Sequence, residues 1–342
     1  LDALRGVAAI LVVAGHIQAI AFLGSDSLQH MYLCVDFFFM LSGFVIARAY
    51  EHRMLAGLKP REYAAIRLVR LYPLIALGAV LGFLAATVGV FSTSTPELRL
   101  IAQLLFIPSL WVAGQVFDLN NVQWSLLIEL VVNAIHFRLA KWLTLSRLLA
   151  IVVLSGGILI AAVNYYGIGG LGVTRETYLA SFARGAFGFF IGVFLFRLSR
   201  KGWLPAIGAP WPVVVLALPA VVLGATLPFL EWRWYADLAL TIFVLPVILW
   251  VGIFSRLPTG LERVAKFLGD LSYPVYALHL PLIFFLKALT VKAFGSGVPA
   301  PLLCVAWFGV IFSVSWLAMK FVDEPIQAWF AARSRKSPLP AS

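Results

Sequence analysis

Residues 4–23 read LRGVAAILVVAGHIQAIAFL, and the way that run is solvated decides the fold. Apart from Arg5, His16 and Gln18 it is apolar or glycine. Its length is that of a helix crossing a hydrocarbon core of ~30 Å. Comparable runs recur to the end of the 342-residue chain, which is 62% hydrophobic and 12% charged, with mean hydropathy +0.97. A soluble domain carries far more charge than this. In lipid every backbone N–H and C=O must pair within the segment, so the expected fold is an all-α integral membrane protein. The run also has the outline of a signal peptide. We read it as a retained span because its polar residues are specifically spaced. The chain opens on leucine, which leaves room for a short missing leader.

Ten transmembrane helices are expected, at about 4-23, 31-50, 72-91, 123-141, 148-165, 179-197, 211-229, 235-254, 273-291 and 301-321. The segment 97-112 is shorter and flanked by prolines, and is expected to be interfacial or re-entrant. With the N-terminus inside, 20 of the 26 Lys and Arg residues fall in the turns and tails of one side, so the positive-inside rule places both termini in the cytoplasm. The loop before helix 3 is the most basic. Residues 1-326 form one transmembrane domain and 327-342 a cytoplasmic tail; no repeat is apparent. The excess of 26 basic over 15 acidic residues thus reads as topology, and no nucleic-acid partner is expected. Cys34 and Cys304 are far apart in apolar segments, so neither a disulfide nor a metal site is expected.

Ionisable side chains inside spans are costly and usually functional. Arg5 and His16 are eleven residues apart, three turns plus ~20°, so they share a helix face with ~16 Å between them. Counted from the expected helix ends, Asp36, Glu129, Arg184 and His16 lie at a common depth, ~7–10 Å below the outer boundary. Four helices can therefore bring four ionisable groups together. His279, with Tyr276 one turn before it, counts to a different layer, in the cytoplasmic half. Arg67 and Arg70 are one turn apart and lead into Tyr72-Pro73, a placement suited to gripping phosphates. Each group also has a structural reading. His16 can be an interhelical hydrogen bond and Asp36 with Arg184 a buried ion pair, while Arg67 and Arg70 can be topology determinants and Tyr276 and His279 packing residues. Glu129 has no opposite charge near it in sequence and needs a partner from elsewhere.

The stretches LDALRGVAAILVVAGH, VDFFFMLSGFVI, REYAAIRLVRLYPL, QWSLLIE, ARGAFGFFIG, FLGDLSYPVYALHLP and VDEPI, in this order from Leu1 to about Ile326, resemble the acyltransferase-3 family of membrane acyltransferases. The resemblance implies transfer of an acyl group, usually acetyl, from cytoplasmic acyl-CoA across the membrane to a hydroxyl of a glycan or lipid-linked sugar. It implies a multi-pass protein of the bacterial inner membrane. The family's Arg, ten residues, His pattern falls on Arg5 and His16, its Arg-x-x-Arg on Arg67 and Arg70, and its Trp-Ser and carboxylate motif on Trp124, Ser125 and Glu129. On this reading Arg5, Arg67, Arg70, Tyr72 and His279 serve acetyl-CoA, the donor, and no metal is required. His16 acts as general base or acyl carrier, with Glu129 or Asp36 orienting its ring. Arg184, Trp124, Ser125 and Tyr276 serve the acceptor or the oxyanion. Some relatives carry a soluble esterase-like domain; this sequence shows none, so the chain acts alone or with a separate periplasmic transferase. The competing reading is a proton-coupled transporter or flippase, since buried Asp, Glu, His and Arg also build proton relays.

Overall fold

The computed structural model describes residues 1–21, 29–225, 233–295 and 299–335, and its described elements are helical. The chain is an all-α integral membrane protein. Eight described helices are long and apolar enough to cross a membrane. They include α1 (Asp2–Ala21), α2 (Leu33–Leu55, entered through a 3₁₀ turn at Gln29–Tyr32) and α3 (Pro60–Thr87). After the short α4 (Pro96–Leu104) come α5 (Gln123–Leu139), α6 (Leu145–Tyr166), α7 (Ser181–Arg200) and the shorter apolar α8 (Trp211–Gly224). Then α9 (Arg233–Ala239) runs through a π turn into α10 (Leu245–Phe254), and α11 (Thr259–Phe294) follows. Last, α12 (Ala300–Ala318) passes through a second π turn, Met319–Asp323, into α13 (Glu324–Arg335). Each of the ten expected spans has a helix at its place. The ends expected at 22–23 and 226–229, and tail residues 336–342, lie outside the described residues.

Two starts differ from expectation, and both matter for the site. α3 begins at Pro60 rather than near residue 72, and α11 at Thr259 rather than near 273. In each case the first turns are charged and amphipathic, so an apolar run begins long after the helix does. Pro73 and Pro274 then look like helix starts, where proline is favoured, although both sit inside helices. The interior proline Pro281 removes the N–H that the carbonyl of Ala277 would accept. Asn120 donates its side-chain amide to that oxygen instead, at 2.8 Å.

Helix pairing is set by small residues. The most extensive contacts are α1 along α11 and α2 along α7. A Cβ on Gly43 of α2 would stand 1.9 Å from the carbonyl oxygen of Phe189, and one on Gly192 of α7 would stand 2.1 Å from that of Met40. The backbones touch there, as in membrane interfaces built on glycine. Gly43→Ala is therefore expected to force the pair apart and lower stability by about 1–3 kcal/mol. Gly157→Ala, where a new methyl meets nothing within 4 Å, should be neutral. Thermal melting of the detergent-solubilised variants compares the two, and equal melting points would show that the α2–α7 contact tolerates a side chain.

Candidate active site

The face shared by Arg5 and His16 lies against α11. Arg5 Nη2 donates to the carbonyl oxygen of Gly269 at 2.9 Å, near the start of the contact. His16 meets His279 further along, with Nδ1 of the first 3.1 Å from Nε2 of the second. His279 thus belongs to the same layer as His16, not to a separate one. Its depth was counted from residue 273, whereas it stands twenty residues into a helix that begins at Thr259.

The hydrogen bonds fix the tautomers. His279 Nδ1 lies 2.9 Å from the carbonyl oxygen of Tyr276 and 3.1 Å from that of Val275. A carbonyl only accepts, so this nitrogen carries the proton and Nε2 presents a lone pair. His16 Nδ1, also 3.0 Å from the carbonyl oxygen of Val12, is then the donor to His279. The lone pair of a neutral His16 is consequently on Nε2. Two fully protonated rings would set N–H against N–H, so at most His16 carries a positive charge. His279 is fully buried and His16 half-buried.

The expected convergence of His16 with Asp36, Glu129 and Arg184 is not what the helices produce. They sort into three separate groups, because equal depth says nothing of which way each face turns. Asp36 gives both carboxylate oxygens to Arg184, at 2.6 and 2.9 Å. Arg184 also donates to the carbonyl oxygens of Leu171 and Tyr32, each at 2.8 Å, and lies over the rings of Tyr32 and Trp124. Each of the three guanidinium nitrogens donates and both partners are buried, so this is a cross-brace between α2 and α7. Glu129 finds its partner in Arg67, at 2.9 Å, and accepts from Ser42 at 2.7 Å. Among the described residues the side chain hydrogen-bonded to His16 is accordingly His279, rather than Glu129 or Asp36.

Arg67 and Arg70 lie inside α3, not in a loop before it. Both border a cavity of about 210 Å³ together with Arg5, Ser42, Glu129 and Ser272. Apolar and aromatic side chains, among them Val35, Phe38, Leu126, Tyr273 and Tyr276, complete its wall. Arg70 pairs with Asp323 of the second π turn at 3.0 Å and covers the ring of Tyr273. Nε of Arg67 is buried with no partner among the described residues. Tyr72 points elsewhere: it is exposed, packs against Phe106 and is not part of the cavity wall. Trp124 is buried against Phe39, and Ser125 shares a 2.6 Å hydrogen bond with the hydroxyl of Tyr276.

Sequence reasoning left out Ser42 and Asp323, the partners of Glu129 and Arg70. It also left out His30 and Asp237, a buried pair at 2.9 Å. Asp323 sits in the VDEPI stretch and had a signal, a carboxylate at the end of an apolar run. Ser42, small and adjacent to Gly43, had none.

A bundle of apolar helices that buries a histidine pair beside an arginine-bordered cavity belongs to the membrane-embedded enzymes rather than to scaffolds. The chain is a member of the acyltransferase-3 family: the family's signature, described as an acyltransferase domain, matches residues 1–320. It is a multi-pass membrane acyltransferase, a transferase of acyl groups other than amino-acyl groups. "Protein 2 in picA locus" of Rhizobium radiobacter is 35% identical over 180 residues, which cover 47% of this chain and 92% of that protein. "Exopolysaccharide production protein ExoZ" of Rhizobium meliloti is 25% identical over 300 residues, 85% of this chain and 88% of the relative. No solved structure matches.

Proposed function

We propose that this chain, in a bacterial inner membrane with both termini cytoplasmic, transfers an acetyl group from acetyl-CoA to a hydroxyl of an exopolysaccharide or its lipid-linked precursor. The observation that carries the reading is a histidine base near a cavity lined both by arginines and by apolar side chains. His16 offers an Nε2 lone pair whose tautomer is held by His279, and the cavity beside it is bordered by Arg5, Arg67 and Arg70. Acyl-CoA has an anionic nucleotide end and a thin neutral arm. The arginines suit its phosphates and the apolar wall suits the arm, and the Nε of Arg67, without a partner among the described residues, keeps a donor in reserve. The printed name of the Rhizobium meliloti relative supports a polysaccharide acceptor.

In the simplest route His16 Nε2 takes the proton of the acceptor hydroxyl, and the oxygen attacks the thioester carbon. The C–S bond breaks, and the thiolate takes the proton back from the imidazolium. In the covalent variant Nε2 attacks the thioester carbon first, the C–S bond breaks and the thiolate leaves; the acceptor oxygen then takes the acyl group as the N–acyl bond breaks, and its proton goes to the thiolate. His279 accepts the Nδ1 hydrogen bond in either route, in the place a carboxylate holds in triad chemistry.

The test is binding and consumption of labelled acetyl-CoA by the purified protein. Arg67→Gln and Arg70→Gln are each expected to weaken acetyl-CoA binding about tenfold or more, as for loss of a hydrogen bond between charged groups. Unchanged donor affinity in both variants would remove the cavity from the mechanism.

A further inference from the structure

The cavity and the histidine pair do not meet. Arg5, Arg67 and Arg70 line the cavity, yet neither His16 nor His279 does. Between them stands Tyr276, which belongs to the cavity wall on one side and lies with its ring 5.9 Å from that of His279 on the other. Phe38, also in the wall, meets Tyr276 edge-on at 5.6 Å. The hydroxyl of Tyr276 is tied to Ser125 on α5 at 2.6 Å, and Ser125 Oγ is itself 2.9 Å from the carbonyl oxygen of Val122. The tyrosine is 7% exposed and the serine 4%, so water does not compete for this hydrogen bond.

We propose that Tyr276 is a gate between the donor cavity and the histidine pair, latched by Ser125. This rests on the acyl-CoA reading above. A thioester at the end of a donor arm reaches His16 only when the Tyr276 ring leaves the Phe38 side of the cavity, which breaks the hydrogen bond to Ser125. Closed, the latch keeps His16 from activating water against a bound thioester while no acceptor is present. The reaction it suppresses is hydrolysis: His16 Nε2 takes a proton from water, the water oxygen bonds to the thioester carbon, the C–S bond breaks and the thiolate leaves with that proton. Acetate and free coenzyme A are the products. Tyr276 is in this sense a positioning residue, acting by where its ring stands.

The experiment measures hydrolysis of labelled acetyl-CoA by the purified full chain without acceptor, alongside acetyl-CoA binding. Ser125→Ala and Tyr276→Phe each remove the latch and keep the ring, and removal of one buried hydrogen bond is expected to raise hydrolysis per bound acetyl-CoA about fivefold. Adding His16→Ala to Ser125→Ala should return hydrolysis to the background rate. Wild-type hydrolysis in both latch variants overturns the gate, and so does raised hydrolysis that persists without His16. Loss of hydrolysis in Tyr276→Phe with normal binding would make the hydroxyl a direct participant and also overturn it. Absence of acetyl-CoA binding by the wild-type protein would instead overturn the donor reading, and the gate with it.

Discussion

Replacing His16 by alanine is expected to lower acyl transfer about 10²–10⁴-fold, the usual contribution of a positioned base, while the protein accumulates in the membrane as before. The expectation of normal accumulation follows from its surroundings. His16 is half-buried and, among the described residues, its side chain hydrogen-bonds to Val12 of its own helix and to His279. The α1–α11 contact is held elsewhere. Gly6 and Gly269 allow close approach, with added Cβ atoms only 2.6 Å from those of Leu268 and Asp2, and Arg5 ties across to Gly269. His279→Gln should cost less than His16→Ala, because it disturbs the tautomer and not the reacting nitrogen. Steady-state transfer from labelled acetyl-CoA, normalised to protein extracted from membranes, measures both. Full activity in His16→Ala would sink the mechanism, and an effect of His279→Gln larger than that of His16→Ala would reverse the roles of the pair.

The pair also shows what the sequence holds and what it hides. That Arg5 and His16 share a face was legible, since helical periodicity is a local property. That this face meets His279 was not. It depends on where α11 begins, and the charged turns from Thr259 to Asp270 conceal that start from any reading based on apolar runs. The same error placed Arg67 and Arg70 in a loop, although Pro60 begins their helix. Glu129's need of a distant cation was legible from its isolation among apolar neighbours. Its partner, 62 residues earlier in the chain, was not, because burial demands compensation without naming the compensator. Depth alone grouped Asp36, Glu129, Arg184 and His16. Rotation of each helix about its axis separated them, and rotation is set by packing such as the glycine contacts of Gly43 and Gly192.

Asp36 and Arg184 illustrate the consequence, because a pair that sequence reasoning placed in the chemistry is built to hold helices. Arg184 is 2% exposed and Asp36 3%, so neither charge is shared with water. Arg184→Ala would leave a buried carboxylate alone, and removing one partner of such a pair typically costs about 3–5 kcal/mol. It would also release the carbonyl oxygens of Leu171 and Tyr32. The expected result is a sharp loss of folded protein in the membrane and a large drop in melting temperature. Asp36→Asn strands the arginine's charge and should fail similarly. The double replacement Asp36→Leu with Arg184→Met removes both charges and restores volume, so it should recover much of the lost stability, since a buried pair is often replaceable by apolar residues as a unit. Size-exclusion profiles and melting curves of extracted protein decide the matter. A cross-brace predicts that the double variant folds and keeps transfer activity. A double variant that folds but does not transfer acyl groups would return Asp36 and Arg184 to the reaction itself.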